Sequence, residues 1–193
     1  MNNATGALLN RLRARLPRVD ALHDMRLPEP QPSPVLGADT LARVQSSLDV
    51  DLPPLLVRVW QDIANGGFGP GYGLLGIGDG FTDDQDATAD RRYLVFRRPD
   101  PETATWLWPQ GLLPICHHGC GIYDCVDTIR DRIIIWEPST WDESLPIGTA
   151  LFDSGLTLFD WFDRWSQGQD VFLLLDPDAP DGYALPRLTP LPD

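Results

Sequence analysis

The chain has 193 residues, is 42% hydrophobic with seven tryptophans, and carries a formal net charge of −13. That is enough apolar volume for one packed domain and argues against global disorder, while the charge repels nucleic acid and anionic membranes and favours a basic partner. All fifteen basic residues are arginine, which rules out a P-loop lysine, a Schiff base and a Ser–Lys dyad.

Residues 5–17 predict an amphipathic helix, with Leu8, Leu9, Leu12 and Leu16 on one face and arginines around the other. Arg11, Arg13, Arg15 and Arg18 precede the first acid, Asp20, leaving eleven arginines against twenty-eight acids in the remainder. Such a start fits either an organellar transit peptide or a helix packed on an acidic domain. Pro28, Pro30, Pro32 and Pro34 alternate through residues 27–37, which makes that stretch an extended, polyproline-like linker. The expected organisation is an N-terminal helical extension (1–26), the linker (27–37), a main domain (38–175) and a proline-rich tail (176–193).

Asp39 or Thr40 caps a helix carrying Leu41, Val44 and Leu48 on one face. Pro53 and Pro54 open a second helix whose stripe is Leu55, Leu56, Val59, Trp60 and Ile63, and Asn65-Gly66-Gly67 ends it. The glycines that follow come after a helix and before a short strand, Leu74 to Ile77. A dinucleotide fingerprint needs the reverse order, so they are turn residues. Residues 79–90 hold five aspartates without the ligand spacing or closing glutamate of a calcium loop, and read as a solvated loop with the most concentrated negative charge in the chain. RRYLVFRR, residues 91–98, fits helix or strand. Leu112–His117 and Gly121–Thr128 predict an antiparallel pair, Arg132–Glu137 a third strand, and Thr149–Phe152 a short edge. Ser154 or Thr157 caps a closing helix with Leu158, Phe159, Phe162 and Trp165 on its buried face, and Val171–Leu175 is one more apolar run. Helices, then strands, then a closing helix predict an α+β class with a mixed or antiparallel sheet of about five or six strands.

The residues with the most chemistry are Cys116, His117, His118, Cys120 and Cys125. Three crowded cysteines are a poor disulfide framework and suit a reducing compartment. Zinc or thiol chemistry at Cys116, Cys120 and Cys125 is the remote possibility. The spacings have no matching second pair, and strand alternation would split His117 from His118. Cysteines flanking a turn are the favoured reading. Asp124, Asp127 and Asp131 read as strand-end and turn residues. No apolar run approaches the ~20 residues that span a bilayer, and no secretory signal is evident, so the expected compartment is the cytoplasm.

Leu52-Pro53, the helix Val57 to Ile63, Asn65-Gly66-Gly67, Leu113-Pro114-Ile115, the turn Gly119 to Gly121 and Cys125-Val126-Asp127 together resemble the SUKH superfamily, the Smi/Knr-like group, over residues 39–168. The resemblance implies an α+β domain with no catalytic residues and no cofactor. Similar proteins include bacterial immunity proteins that bind a cognate toxin, and others act as adaptors or cell-wall-synthesis regulators. The partner expected on these grounds is a cognate toxin or effector protein, basic because it attacks nucleic acid. Asp83, Asp84, Asp86 and Asp90 are the expected contacts, with Trp106 and Trp108 as aromatic anchors. A regulatory scaffold with several partners is the alternative, and a zinc or thiol enzyme the remote one.

Overall fold

The computed structural model describes residues 3–175, 178–180 and 182–188, so part of the proline-rich tail lies outside the described residues. α1 (Asn3–Ala14) is an integral part of the main core: Leu8, Leu9 and Leu12 are buried in the same cluster as the central strands. Its arginines are spent on the acidic body behind it. Arg11 pairs with Asp163, Arg13 donates to the Asp62 carbonyl at 3.0 Å, and the Arg15 guanidinium lies 4.6 Å over the Trp165 ring. Leu12→Ala is therefore expected to cost about 2–5 kcal/mol in a denaturation experiment. A loss below about 1 kcal/mol would make α1 an appendage after all.

A short helix, α2 (Asp20–Asp24), leads into the proline stretch, which has no regular structure but is not a free spacer. Ser33 N–H donates to Gly66 O (3.1 Å) and Leu36 N–H to Trp60 O (2.9 Å), so this segment is a strap fixed along the end of the fourth helix. α3 (Ala38–Ser47) and α4 (Pro54–Asp62) follow, α4 with proline in its first turn, where no intrahelical N–H is required. RRYLVFRR resolves as helix: α5 (Ala89–Phe96) buries Arg92 and Tyr93 on its inner face.

The sheet has four strands, all antiparallel, in the order β1 (Leu112–His117), β2 (Tyr123–Asp127), β3 (Arg132–Trp136), β4 (Leu151–Asp153). The five or six strands expected from the apolar runs are too many. Leu74–Ile77 makes a single bridge, Leu74 to Cys116: Leu75 N–H reaches Ile115 O (2.7 Å), but Ile77 N–H, next on that side, is taken by Asn65 Oδ1 (3.0 Å). Among the described residues, the run Val171–Leu175 likewise makes one isolated bridge, Leu175 to Tyr183. α6 (Leu158–Ser166) starts at a reciprocal capping box. Asp160 N–H donates to Thr157 Oγ1 (3.1 Å), and Thr157 N–H donates to an Asp160 carboxylate oxygen (3.2 Å). Among the described residues, no helix is long and apolar enough to cross a membrane.

Both faces of the sheet are covered, so β1 and β2 are buried at every position and show no in–out alternation. Register assigns the faces, because residues paired across strands share one. A bulge at Ile115 breaks the β1–β2 register. Beyond it, Cys116 pairs with Asp124 and, across the sheet, with Ile135 and Phe152; His117 pairs with Tyr123 and Trp136 on the opposite face. α6 lies against the first face through Trp161, and α5 and the 81–87 loop lie against the second.

Candidate functional site

The acidic loop is divided by the fold. Asp84 and Asp86 are exposed, but Asp83 and Asp90 are 8% and 6% exposed and face inward. Asp83 accepts from Gln85 N–H (2.9 Å), Ala87 N–H (3.0 Å), Arg92 Nε (2.8 Å) and the Tyr123 hydroxyl (2.8 Å). Burial opposes its ionisation, but the donors from Ala87, Tyr123, Gln85 and Arg92 outweigh that and hold its carboxyl below the usual carboxylate range. Asp90 accepts from Gly78 N–H (3.0 Å) and the Thr88 hydroxyl (2.6 Å) at the start of α5. Of the four aspartates expected as contacts, these two face inward, the Asp83 carboxylate and Asp90 Oδ1 holding the loop against α5, and Asp84 and Asp86 are the exposed pair.

The same distinction separates the tryptophans. Trp108, expected as an anchor, is 2% exposed and its indole N–H donates to Leu112 O (2.7 Å). Trp106 is half-buried at the edge of a cluster with Phe96, Trp108, Trp136 and Trp141, its ring 5.2–6.0 Å from theirs. Beside Asp84 lies an apolar cleft of about 560 Å³ lined by Leu22, Tyr72, Leu75, Phe81, His117 and Cys120, among others. His117 is buried there between the rings of Tyr72 and Tyr123, with Nε2 3.7 Å from Asp84 Oδ1.

On the other face the structure gathers Cys116, His118 and Asp124. His118 Nε2 lies 3.0 Å from Asp124 Oδ2 and 3.8 Å from Cys116 Sγ. Asp124 Oδ2 also accepts from Trp161 Nε1 at 2.9 Å. Two of the three cysteines marked in the sequence are excluded from this group: Cys120 is exposed in the turn, and Cys125 faces away from Asp124. The cluster is not a nucleophile–base–orienter relay. Such a relay needs the base to use its two ring nitrogens toward different partners, whereas Nε2 of His118 meets both. Burial, and then the Asp124 charge, pushes the Cys116 thiol well above its ordinary value, the opposite of an activated thiolate.

His118 also borders a second cleft, of about 440 Å³, whose walls come from the N-terminal segment (Arg15, Arg18, Asp20) and the chain after α6 (Gly168 to Phe172). The Phe172 ring stacks on His118 at 4.4 Å. Backbone bonds hold the first wall in place: Gly69 N–H to Arg18 O (2.9 Å) and Ala21 N–H to Gly71 O (2.8 Å).

A model of the SMI1 / KNR4 family (SUKH-1) matches residues 36–164, two thirds of the chain. The chain belongs to that family. No curated protein and no solved structure matches it. The family segment runs from the strap into α6 and contains Asn65-Gly66-Gly67, the acidic loop and the β1–β2 hairpin. Of the cleft beside His118, Pro70, Gly71 and His118 lie inside it, and the N-terminal segment and the chain after α6 lie outside. Sequence reading missed two residues on which these sites depend, Arg92 and Tyr123, which hold Asp83, and it missed the partnership of His118 with Asp124. Strand register was the signal that could have found the last, and a bulge altered that register.

Proposed function

We propose that the chain is a non-catalytic binding protein of the immunity type, acting in the cytoplasm, that neutralises a basic toxin or effector by covering its nucleic-acid cleft. Family membership is consistent with an immunity or regulatory protein. The observation that carries the reading is an apolar cleft with an acidic rim. Tyr72, 37% exposed, and Phe81 line the depression, and Asp84 and Asp86 stand exposed beside it. An aromatic pocket inside an acidic rim suits a basic partner with an apolar anchor, and the net charge of −13 speeds their encounter.

The test is capture from the native host at low and then high salt, with the bound proteins identified by mass spectrometry. One dominant basic partner, released by salt, supports the reading, and several unrelated weak partners favour a regulatory scaffold. Once a partner is in hand, the double reversal Asp84→Arg and Asp86→Arg should weaken it about tenfold or more at low salt and flatten the salt dependence. Affinity and salt dependence that do not change would reject this rim. Both side chains are exposed, so the reversal leaves the core intact.

A further inference from the structure

The Cys116 face of the sheet carries a feature that binding a protein partner does not use. Asp124 is completely buried; its Oδ2 meets Trp161 and His118, but Oδ1 has no hydrogen-bond partner. A buried carboxylate oxygen without a partner is costly unless a proton donor or a cation is supplied. The three polar side chains here offer one sulfur, one imidazole nitrogen and one carboxylate, all within 4.8 Å of one another.

We propose that Cys116, His118 and Asp124 bind a divalent transition-metal ion, with zinc the best match. For zinc–sulfur near 2.3 Å and zinc–nitrogen or –oxygen near 2.1 Å, tetrahedral geometry sets ligand separations of about 3.6 Å (S to N) and about 3.4 Å (N to O). The separations found are 3.8 Å from Cys116 Sγ to His118 Nε2 and 3.0 Å from His118 Nε2 to Asp124 Oδ2, a few tenths of an ångström away, and the sulfur and a carboxylate oxygen lie within 4.8 Å. A thiolate and an imidazole select zinc-like ions over calcium and magnesium, which prefer oxygen donors. The surroundings hold the ligands as metal sites do: the Trp161 indole orients the carboxylate and the Phe172 ring fixes the imidazole plane. His118 borders the 440 Å³ cleft, which provides a way in, and three protein ligands leave one tetrahedral position for water. Coordination displaces the Cys116 thiol proton to solvent, so binding tightens as pH rises. The three ligands and Trp161 lie within the family segment, whereas Phe172 and the arginines that line the way in lie beyond it.

The test uses the full chain, stripped with a chelator, and cobalt(II) alone as the probe. The expected result is one cobalt per chain, with a near-ultraviolet thiolate-to-cobalt charge-transfer band and tetrahedral visible bands that zinc abolishes by displacement. The band should persist in Cys120→Ser, an exposed position, and vanish in Cys116→Ala. Asp124→Asn should weaken cobalt binding by about tenfold or more. Absence of the band from the unmodified chain overturns the proposal whatever the variants do. A band that survives Cys116→Ala, or that is lost in Cys120→Ser, overturns it by placing the ion elsewhere.

Discussion

Asp83→Ala is expected to destabilise the protein by about 3–5 kcal/mol, the range for removing one member of a buried ion pair. Asp83 and Arg92 are 0% and 8% exposed at their side chains, and the guanidinium would be left buried without its carboxylate. The same substitution frees the Gln85 and Ala87 amides that the carboxylate holds, so the 83–87 loop should loosen and proteolysis there should increase. In a thermal melt the loss corresponds to a fall of about 6–20 °C for a chain of this size. Arg92→Met should cost less, because Asp83 keeps two backbone amides and the Tyr123 hydroxyl. Equal losses for the two variants would mean that the ion pair, not the whole donor set, holds the carboxylate.

The native carboxyl of Asp83 titrates below its ordinary value, and the pH dependence follows from that. The stabilisation is fully present above the unfolded aspartate value of about 3.9 and is lost as pH falls from there through the lower native value. Asp83→Asn should remove that part of the acid limb of the stability curve. An acid limb as steep in Asp83→Asn as in the parent chain would assign it to other carboxylates.

The Asn65-Gly66-Gly67 step carries the second large effect. The Asn65 side chain closes a ring with one residue: Nδ2 donates to Ile77 O (2.8 Å), and Oδ1 accepts from Ile77 N–H (3.0 Å). Its own carbonyl accepts from Phe81 N–H (3.0 Å), so one residue ties the end of α4 to the loop that leads to the acidic rim. Asn65→Ala leaves two buried backbone groups unsatisfied, at about 1–3 kcal/mol each. Gly66 has φ +87°, and a Cβ there would lie 2.5 Å from Leu74 O and 2.7 Å from Gly76 N. Gly66→Ala combines the left-handed penalty with a backbone clash and should cost about 2–5 kcal/mol. At Gly67 the nearest neighbour of an added Cβ is 3.2 Å away, so Gly67→Ala should be milder. Denaturant midpoints for the three variants decide this, and a Gly66→Ala loss no larger than that of Gly67→Ala would sink the clash argument.

The helices were legible where one face is apolar and the other wet. The stripes of α1 and α4 could be read directly, because 3.6-residue periodicity reports which side is buried; on α6 Leu158, Phe162 and Trp165 were read, but Trp161 is buried where Phe159 was expected, and of the two cap candidates Thr157 is the one used. RRYLVFRR could not be settled. α5 buries Arg92 beside Asp83, so charge at that position did not mark the solvent side. Strand count was overread for a related reason. An apolar run shows that a segment is buried, not that its amides continue a ladder: Leu75 N–H meets β1, but the Ile77 amide pairs with Asn65 instead.

The sequence by itself determined the α+β class, the family pattern, the absence of lysine chemistry and the acidic character of the surface. Each of these rests on local composition, spacing or periodicity. Tertiary structure alone decided which aspartates face solvent, because exposure depends on what packs over a loop: Arg92 and Tyr123 claim Asp83, and Thr88 and Gly78 claim Asp90. It also decided which polar residues meet on the sheet. Under strict alternation Cys116 and Cys125 share a face. The extra residue at the Ile115 bulge moves Cys116 to the face of Asp124, and no local signal in the sequence marks that one-residue shift.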